Sequence, residues 1–218
     1  TGDGFASTWS PDGKWFAMEI IGNRHDPYSD IAIVSADGKG EVVNLTNSGY
    51  FDSNPRWVLD GNAILFSSER YGMRNHASWG SLQDVMIVFM NQDAYDKFRL
   101  NKEDYELLKE EEKRIASLKN KEQKEDQKDK KGETKLAVKE KKNIEVELKG
   151  IEDRVMRLTP NSSQLGDAIL SKSGDKLYYM ASFEGGLDLW VSDLRSRSTK
   201  VMHKLNSGWG SLGMGKDG

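Results

Sequence analysis

The chain contains no cysteine, three histidines and four prolines in 218 residues. The lack of cysteine excludes disulfide bonds, thiolate metal sites and cysteine nucleophiles, and it leaves both the cytoplasm and the periplasm open as compartments. No apolar run approaches the ~20 residues that a membrane-spanning helix needs, so we expect no membrane insertion. The net charge of −3 gives no basic field, so we expect no nucleic-acid partner.

Candidate catalytic and cofactor residues are also scarce. His25, His76 and His203 are isolated, and none has a second histidine or a carboxylate at metal-ligand spacing. The sequence has no Gly-x-Ser-x-Gly nucleophile motif. The stretch Gly208–Gly213 matches a dinucleotide fingerprint, but that motif needs a strand before it and a helix after it, and we interpret it as a turn. We therefore expect no catalytic residue, no metal and no cofactor in this chain.

A repeat dominates the rest of the sequence. The run Trp9-Ser10-Pro11-Asp12-Gly13 returns as Trp57-Val58-Leu59-Asp60-Gly61 and, in degenerate form, as Leu170-Ser171-Lys172-Ser173-Gly174. A further copy begins at Met214. Each of the three full copies is followed by an apolar strand, a polar loop, an aspartate that opens another strand, and a last strand, two of which end in Leu-Thr. Such a period predicts stacked units.

The repeat predicts an all-β fold of β-propeller blades, each with four antiparallel strands. We place the blades at 5–47, 48–161 and 162–206, with the start of a fourth at 207–218. Propellers close with about 4–8 blades, so we expect a partial ring. Because the chain begins at Thr1 rather than Met, we interpret it as an internal fragment. The open blade edges predict self-association.

A charged insertion interrupts the second blade at 92–143. Between Asp93 and Lys142 the chain has 16 Lys or Arg and 14 Asp or Glu. Asn101 is a candidate N-cap of a helix. An apolar stripe also predicts this helix, and it comprises Tyr105, Leu108, Ile115 and Leu118. The helix either docks another domain or subunit or lies back on its own blades. From Lys119 to Lys142 we expect a frayed helix or disorder.

One polar cluster is a candidate substrate-binding site. The loop after the second strand of blade two carries Arg70, Tyr71 and Arg74. These side chains are suited to a peptide carboxylate at one mouth of the propeller. The alternative is that Arg70 pairs locally and holds its loop in place. The tryptophans at repeat positions are expected in the core rather than in a ligand site; they are Trp9, Trp15, Trp57 and Trp190.

The blade motif resembles that of TolB-like propellers. The residues that carry the resemblance are Trp9-Ser10-Pro11-Asp12-Gly13-Lys14, Asp30–Gly38, Asn44-Leu45-Thr46 and Leu65–Gly72. Ala94–Leu100 and Tyr105–Glu110 in the insertion, together with Glu152–Thr159 after it, resemble the interrupted blade of bacterial tricorn-like serine peptidases. Blade three departs from the pattern, because Lys172-Ser173 replaces Pro-Asp.

The resemblance implies a non-catalytic segment of a tricorn-like protease. In that family the propellers are thought to guide peptides to a catalytic core elsewhere in the protein. The implied partners are peptides or unfolded polypeptide and the remaining domains of the parent protease. Two alternatives stay open: a TolB-like protein–protein interaction propeller that belongs to no enzyme, and the propeller of a prolyl-oligopeptidase-type hydrolase.

Overall fold

The computed structural model describes residues 6–22, 27–73, 81–126 and 143–215, with the backbone alone for 119–126. Within these residues, twelve strands form three antiparallel sheets of four strands each, in chain order across every sheet. The first sheet comprises β1 (Ser7–Trp9), β2 (Trp15–Ile21), β3 (Ser29–Ser35) and β4 (Val43–Asn44). The second comprises β5 (Asp52–Val58), β6 (Ala63–Ser68), β7 (Asp84–Phe89) and β8 (Val155–Arg157). The third comprises β9 (Gln164–Leu170), β10 (Lys176–Ser182), β11 (Leu187–Asp193) and β12 (Ser198–Ser207).

The two ends of each sheet differ. The first and third hairpins of every sheet close at one end, which we call the turn end; the second hairpin and the crossing to the next sheet lie at the other, the loop end. At the turn end Gly13 and Gly174 both have φ +73°, the left-handed conformation that glycine adopts without strain. Trp15 N donates to Ser10 Oγ at 2.9 Å, and Lys176 N donates to Ser171 Oγ at 3.0 Å. The degenerate third copy of the repeat therefore keeps the turn chemistry of the first.

The second sheet is buried on both faces. Ile64 and Phe66 face the first sheet in one apolar core, whereas Ala63 and Leu65 face the third sheet in another. The same alternation runs along β7, so that neither face of these two strands needs polar residues. This explains why β6 and β7 are continuous apolar runs, since a strand covered on both sides loses the usual apolar–polar alternation.

The outer faces of the first and third sheets are apolar as well. Phe16 and Met18 occupy the repeat positions of Ile64 and Phe66, yet they are only half-buried. In the described part of the chain no further sheet covers this face. Trp9 on the same face is 60% exposed, with its ring edge-on to Phe16 at 5.1 Å. The expectation of a core position is therefore wrong for Trp9, whereas Trp15, Trp57 and Trp190 pack against the two cores.

The insertion leaves the second sheet between β7 and β8. It extends beyond the expected 92–143, since β8 begins only at Val155. It contains α1 (Gln92–Arg99), α2 (Lys102–Asp126), a segment at 143–148 that is neither helix nor strand, and a short 3₁₀ helix, Ile151–Arg154. Asn101 caps α2 as expected, since its Oδ1 accepts from Asp104 N at 2.9 Å. The helix continues past Lys119 to Asp126, and the rest of the stretch expected to be frayed, 127–142, lies outside the described residues.

The structure confirms the fold class expected from the sequence. It contains three four-stranded antiparallel sheets with a charged helical insertion in the second. Of the residues described at the end of the chain, 208–215 form neither helix nor strand. None of the described helices is long and apolar enough to cross a membrane.

Candidate functional site

Arg70 is held in an ion pair at the loop end of the second sheet. Its Nη2 lies 2.8 Å from Asp52 Oδ2, and the Asp52 side chain is fully buried at the start of β5. Ser48 Oγ donates to the same carboxylate oxygen at 2.8 Å. The local pairing considered from the sequence is therefore present, and it ties the loop after β6 to the neighbouring strand.

Tyr71 and Met73, in contrast, extend into solvent from the same loop, with 58% and 74% of their surface exposed. The guanidinium of Arg157 lies 5.1 Å from the centre of the Tyr71 ring, a cation–π contact that orients the phenol. The third residue of the predicted site, Arg74, lies outside the described residues. The described candidate surface, which we call the loop-end surface, thus consists of Tyr71, Met73 and Arg157.

A buried aspartate positions Arg157. Asp84 is fully buried at the start of β7, and Arg157 Nε donates to its Oδ1 at 2.9 Å. Thr159 Oγ1 donates to Oδ1 at 2.7 Å, and Ser162 Oγ donates to Oδ2 at 2.8 Å. Charge-assisted bonds of this kind are stronger than neutral ones, so Arg157 is fixed where Tyr71 meets it.

The same aspartate position recurs in the other sheets. In the first sheet Asp30 accepts from Asn44 Nδ2 at 2.8 Å and from Thr46 Oγ1 at 3.2 Å. In the third sheet Asp188 accepts from the backbone N–H groups of Leu205 and Asn206, and these bonds hold its pKa below the ordinary value. The aspartate that opens the third strand of each repeat therefore fastens the end of the fourth strand to it.

A small cleft of about 220 Å³ lies between the first strands of the second and third sheets. Arg56 of β5 spans it, with its Nη2 at 2.9 Å from Asp167 Oδ1 of β9. Asp167 Oδ2 also accepts from Leu212 N at 2.7 Å, so the segment after β12 is tied to β9. The first strands of the second and third sheets are thus joined by polar contacts.

Glu19 of β2 makes a polar contact between the first two sheets. Its Oε1 accepts from Asn54 N at 2.6 Å, at a bulge where Asn54 has φ +56°. Burial raises the pKa of the Glu19 carboxyl, and the hydrogen bonds from Asn54 and Ala6 only partly oppose this. The charged form is therefore disfavoured in the folded chain.

We expect Glu19→Gln to stabilise the chain at neutral pH, because glutamine keeps an acceptor for Asn54 N without the disfavoured charge. A folded-state pKa above the ordinary 4.5 means that stability is lost as pH rises through the folded pKa. The thermal midpoint of the variant should exceed that of the wild type at pH 7, and the difference should shrink towards pH 4.5. An excess that grows on acidification would contradict the assignment.

The remaining sequence candidates do not assemble into a site. His203 lies on β12 opposite Leu189, whereas His25 and His76 lie outside the described residues. No helix follows the glycine-rich stretch within 208–215, so the described chain offers no helix N-terminal amides to a phosphate there. Among the described residues no group of three or more His, Cys, Asp or Glu is arranged to hold a metal ion. The Tyr71–Arg157 contact was not predicted, because the two residues are far apart in the sequence and no motif links them.

No protein-family model matches the chain, and no curated protein sequence matches it either. Solved structures do. TolB from Acinetobacter baumannii aligns with a TM-score of 0.49 and 15% identity, over 91% of this chain and 32% of that chain. A putative TolB from Agrobacterium tumefaciens aligns with a TM-score of 0.47 and 16% identity, over 92% of this chain and 50% of that one.

The tricorn protease aligns with a TM-score of 0.52 and 10% identity, over 90% of this chain and 18% of that chain. This chain therefore spans half or less of the length of each of these three proteins. At such identities the likeness to the tricorn protease concerns the fold alone. With the three stacked four-stranded sheets, it establishes that the chain is a β-propeller segment.

Proposed function

We propose that this chain is a non-catalytic propeller segment of a tricorn-like peptidase, where it acts as a scaffold and gate for peptides or unfolded polypeptide. The observation that carries the proposal is the fold likeness to the tricorn protease over 90% of the chain. It is supported by the resemblance of the interrupted blade noted above. The half-buried apolar faces of the first and third sheets support contact with the remaining domains of such a parent, since exposed apolar sheet faces mark interaction surfaces.

The loop-end surface is the proposed polypeptide-binding site. Tyrosine and arginine are both enriched among the residues that dominate binding energy at protein interfaces. Tyrosine buries a large area with few rotamers to fix, and Arg157 is already held in place by Asp84. Met73 adds a flexible apolar side chain that adapts to different partners. In this proposal Arg70 positions the loop through Asp52, and Tyr71 contacts the bound chain.

Tyr71→Ala is expected to weaken binding of an unfolded polypeptide about tenfold, which corresponds to ~1.4 kcal/mol. The probe is fluorescein-labelled α-lactalbumin, reduced and carboxymethylated so that it stays unfolded, and the readout is fluorescence anisotropy. Native α-lactalbumin carrying the same label should bind more weakly than the unfolded form. The thermal midpoint of the variant should match that of the wild type, since the Tyr71 side chain is mostly exposed.

Leu107→Ala is the matched control, because Leu107 is a similarly exposed apolar residue on α2 at the turn end. It should leave affinity unchanged. Equal affinity for native and unfolded probe would contradict the gate and favour the alternative of a TolB-like protein-interaction propeller. A loss of affinity in Leu107→Ala as large as in Tyr71→Ala would remove the assignment of binding to the loop-end surface.

A further inference from the structure

The insertion reaches the first sheet through its returning segment, 143–148, which we call the strap. Ile144 N donates to Asp12 Oδ2 at 3.0 Å, and Lys14 Nζ donates to Asn143 Oδ1 at 2.6 Å. The Ile144 side chain lies directly against Gly61 in the first turn of the second sheet, where a Cβ would overlap Ile144 Cδ1. Burial alone would raise the pKa of Asp12, but the hydrogen bonds from Ser10, Ile144 and Lys14 together hold it below the ordinary value.

At its other side the insertion is anchored to the third sheet by Arg195. This side chain is only 8% exposed and donates to Phe98 O at 2.5 Å and to Leu100 O at 2.9 Å, at the C-terminal end of α1. A cation suits this position, because helix C-terminal carbonyls lack partners within the helix. The guanidinium also lies 3.8 Å from the centre of the Tyr105 ring, and Tyr105 Oη donates to Ser173 O at 3.0 Å.

The strap is joined to the second sheet between these anchors. Glu147 N donates to Met90 O at 2.8 Å, and Asn91 Nδ2 donates to Glu145 O at 3.3 Å. The strap and α1 are joined directly, since Gln92 N donates to Glu147 Oε2 at 3.0 Å. A cavity of about 470 Å³ remains between α1, the strap and the first turns of the second and third sheets. The insertion thus crosses the turn end and is held mainly by its contacts with the first sheet and with the third.

We infer that the insertion is a clamp that couples the first sheet to the third across the turn end. Each apolar core joins only two neighbouring sheets, whereas the insertion contacts all three. Weakening the contact of Arg195 with α1 should therefore weaken the contact of the strap with the first sheet, and the reverse should hold as well. This role goes beyond the proposed gate and does not depend on it.

The test is hydrogen–deuterium exchange on the complete chain carrying Arg195→Met, which keeps an aliphatic side chain and removes all donors. Amide exchange should become at least tenfold faster at 143–148 and in the Ser10–Lys14 turn, as well as in α1 and the third sheet. Ile144→Ala changes the strap, and its effect should reach the third sheet, with faster amide exchange at 98–105 and at 171–176. Tyr105→Phe removes one hydroxyl and should give the same pattern with a smaller amplitude, which keeps the test valid if Arg195→Met folds poorly.

Two controls separate coupling from general loosening. Ser192→Ala removes a buried hydroxyl that bonds Thr199 Oγ1 at 2.6 Å within the third sheet, so its effect should stay in that sheet. Ile115→Ala changes an exposed side chain of α2 and should change exchange nowhere outside α2. Faster exchange confined to α1, α2 and the third sheet in Arg195→Met would overturn the clamp. Faster amide exchange of the strap in Ser192→Ala, as large as in Arg195→Met, would overturn the clamp as well.

Discussion

Replacing Asp84 by alanine is expected to lower the free energy of unfolding by about 3 kcal/mol, because it removes a fully buried carboxylate and leaves the donors around it without their acceptor. The carboxylate is fully buried and accepts from Arg157, Thr159 and Ser162. The carboxylate also fastens the end of β8, a strand of three residues. Urea unfolding followed by tryptophan fluorescence measures the change.

The third sheet supplies the matched control. Asp188 occupies the same repeat position, but it is more exposed and accepts from the backbone N–H groups of Leu205 and Asn206. Asp188→Ala should therefore be clearly less destabilising than Asp84→Ala. Equal losses in the two variants would show that burial of the Asp84 carboxylate is not what sets the effect.

The second large effect is expected at Arg154, where Arg154→Met should cost about 3 kcal/mol. This side chain is 4% exposed, and its guanidinium donates to the carbonyls of Phe89, Glu147, Lys149 and Gly150. It thereby holds the end of β7 against the chain that returns to β8. Methionine fills similar volume without donating, so these carbonyls lose their partner, and a buried acceptor left unsatisfied costs ~1–3 kcal/mol.

Arg99→Met makes the same chemical change at an exposed arginine at the end of α1. It should shift the free energy of unfolding by no more than about 0.5 kcal/mol. If Arg154→Met were as mild as this control in urea unfolding, the carbonyls around Arg154 would have to find other donors. The contrast between the two arginines therefore tests whether the buried contacts, and not the charge, give the effect.

The sheets could be predicted from the sequence because their signal is local and repeated. Gly13, Gly61 and Gly174 mark the first turn of each sheet, and all three have positive φ. The apolar runs Ala63–Phe66 of β6 and Val85–Phe89 of β7 likewise reflect burial on both faces of one sheet. The residues that form a turn, and the apolar pattern of a strand, lie within a few positions of each other in the sequence. They can therefore be recognised without knowledge of the partner strands.

The contacts of the candidate site and of the clamp could not be predicted in this way. Arg195 meets Phe98 and Tyr105 only because the insertion folds towards the third sheet, a direction that no local pattern encodes. Tyr71 meets Arg157 for a similar reason, across the whole insertion. Trp9 shows the converse, since its repeat position predicts a core residue but its face of the first sheet is uncovered among the described residues.

The place of the insertion also sets an order of assembly. β7 ends at Phe89 and β8 begins at Val155, whereas β11 ends at Asp193 and β12 begins at Ser198. Loop-closure entropy grows with the logarithm of loop length, so bringing β8 to β7 costs about 2 kcal/mol more than closing the β11–β12 hairpin. The third sheet can therefore complete its hairpins early. The middle sheet, which both neighbours need for their cores, receives its last strand late in folding.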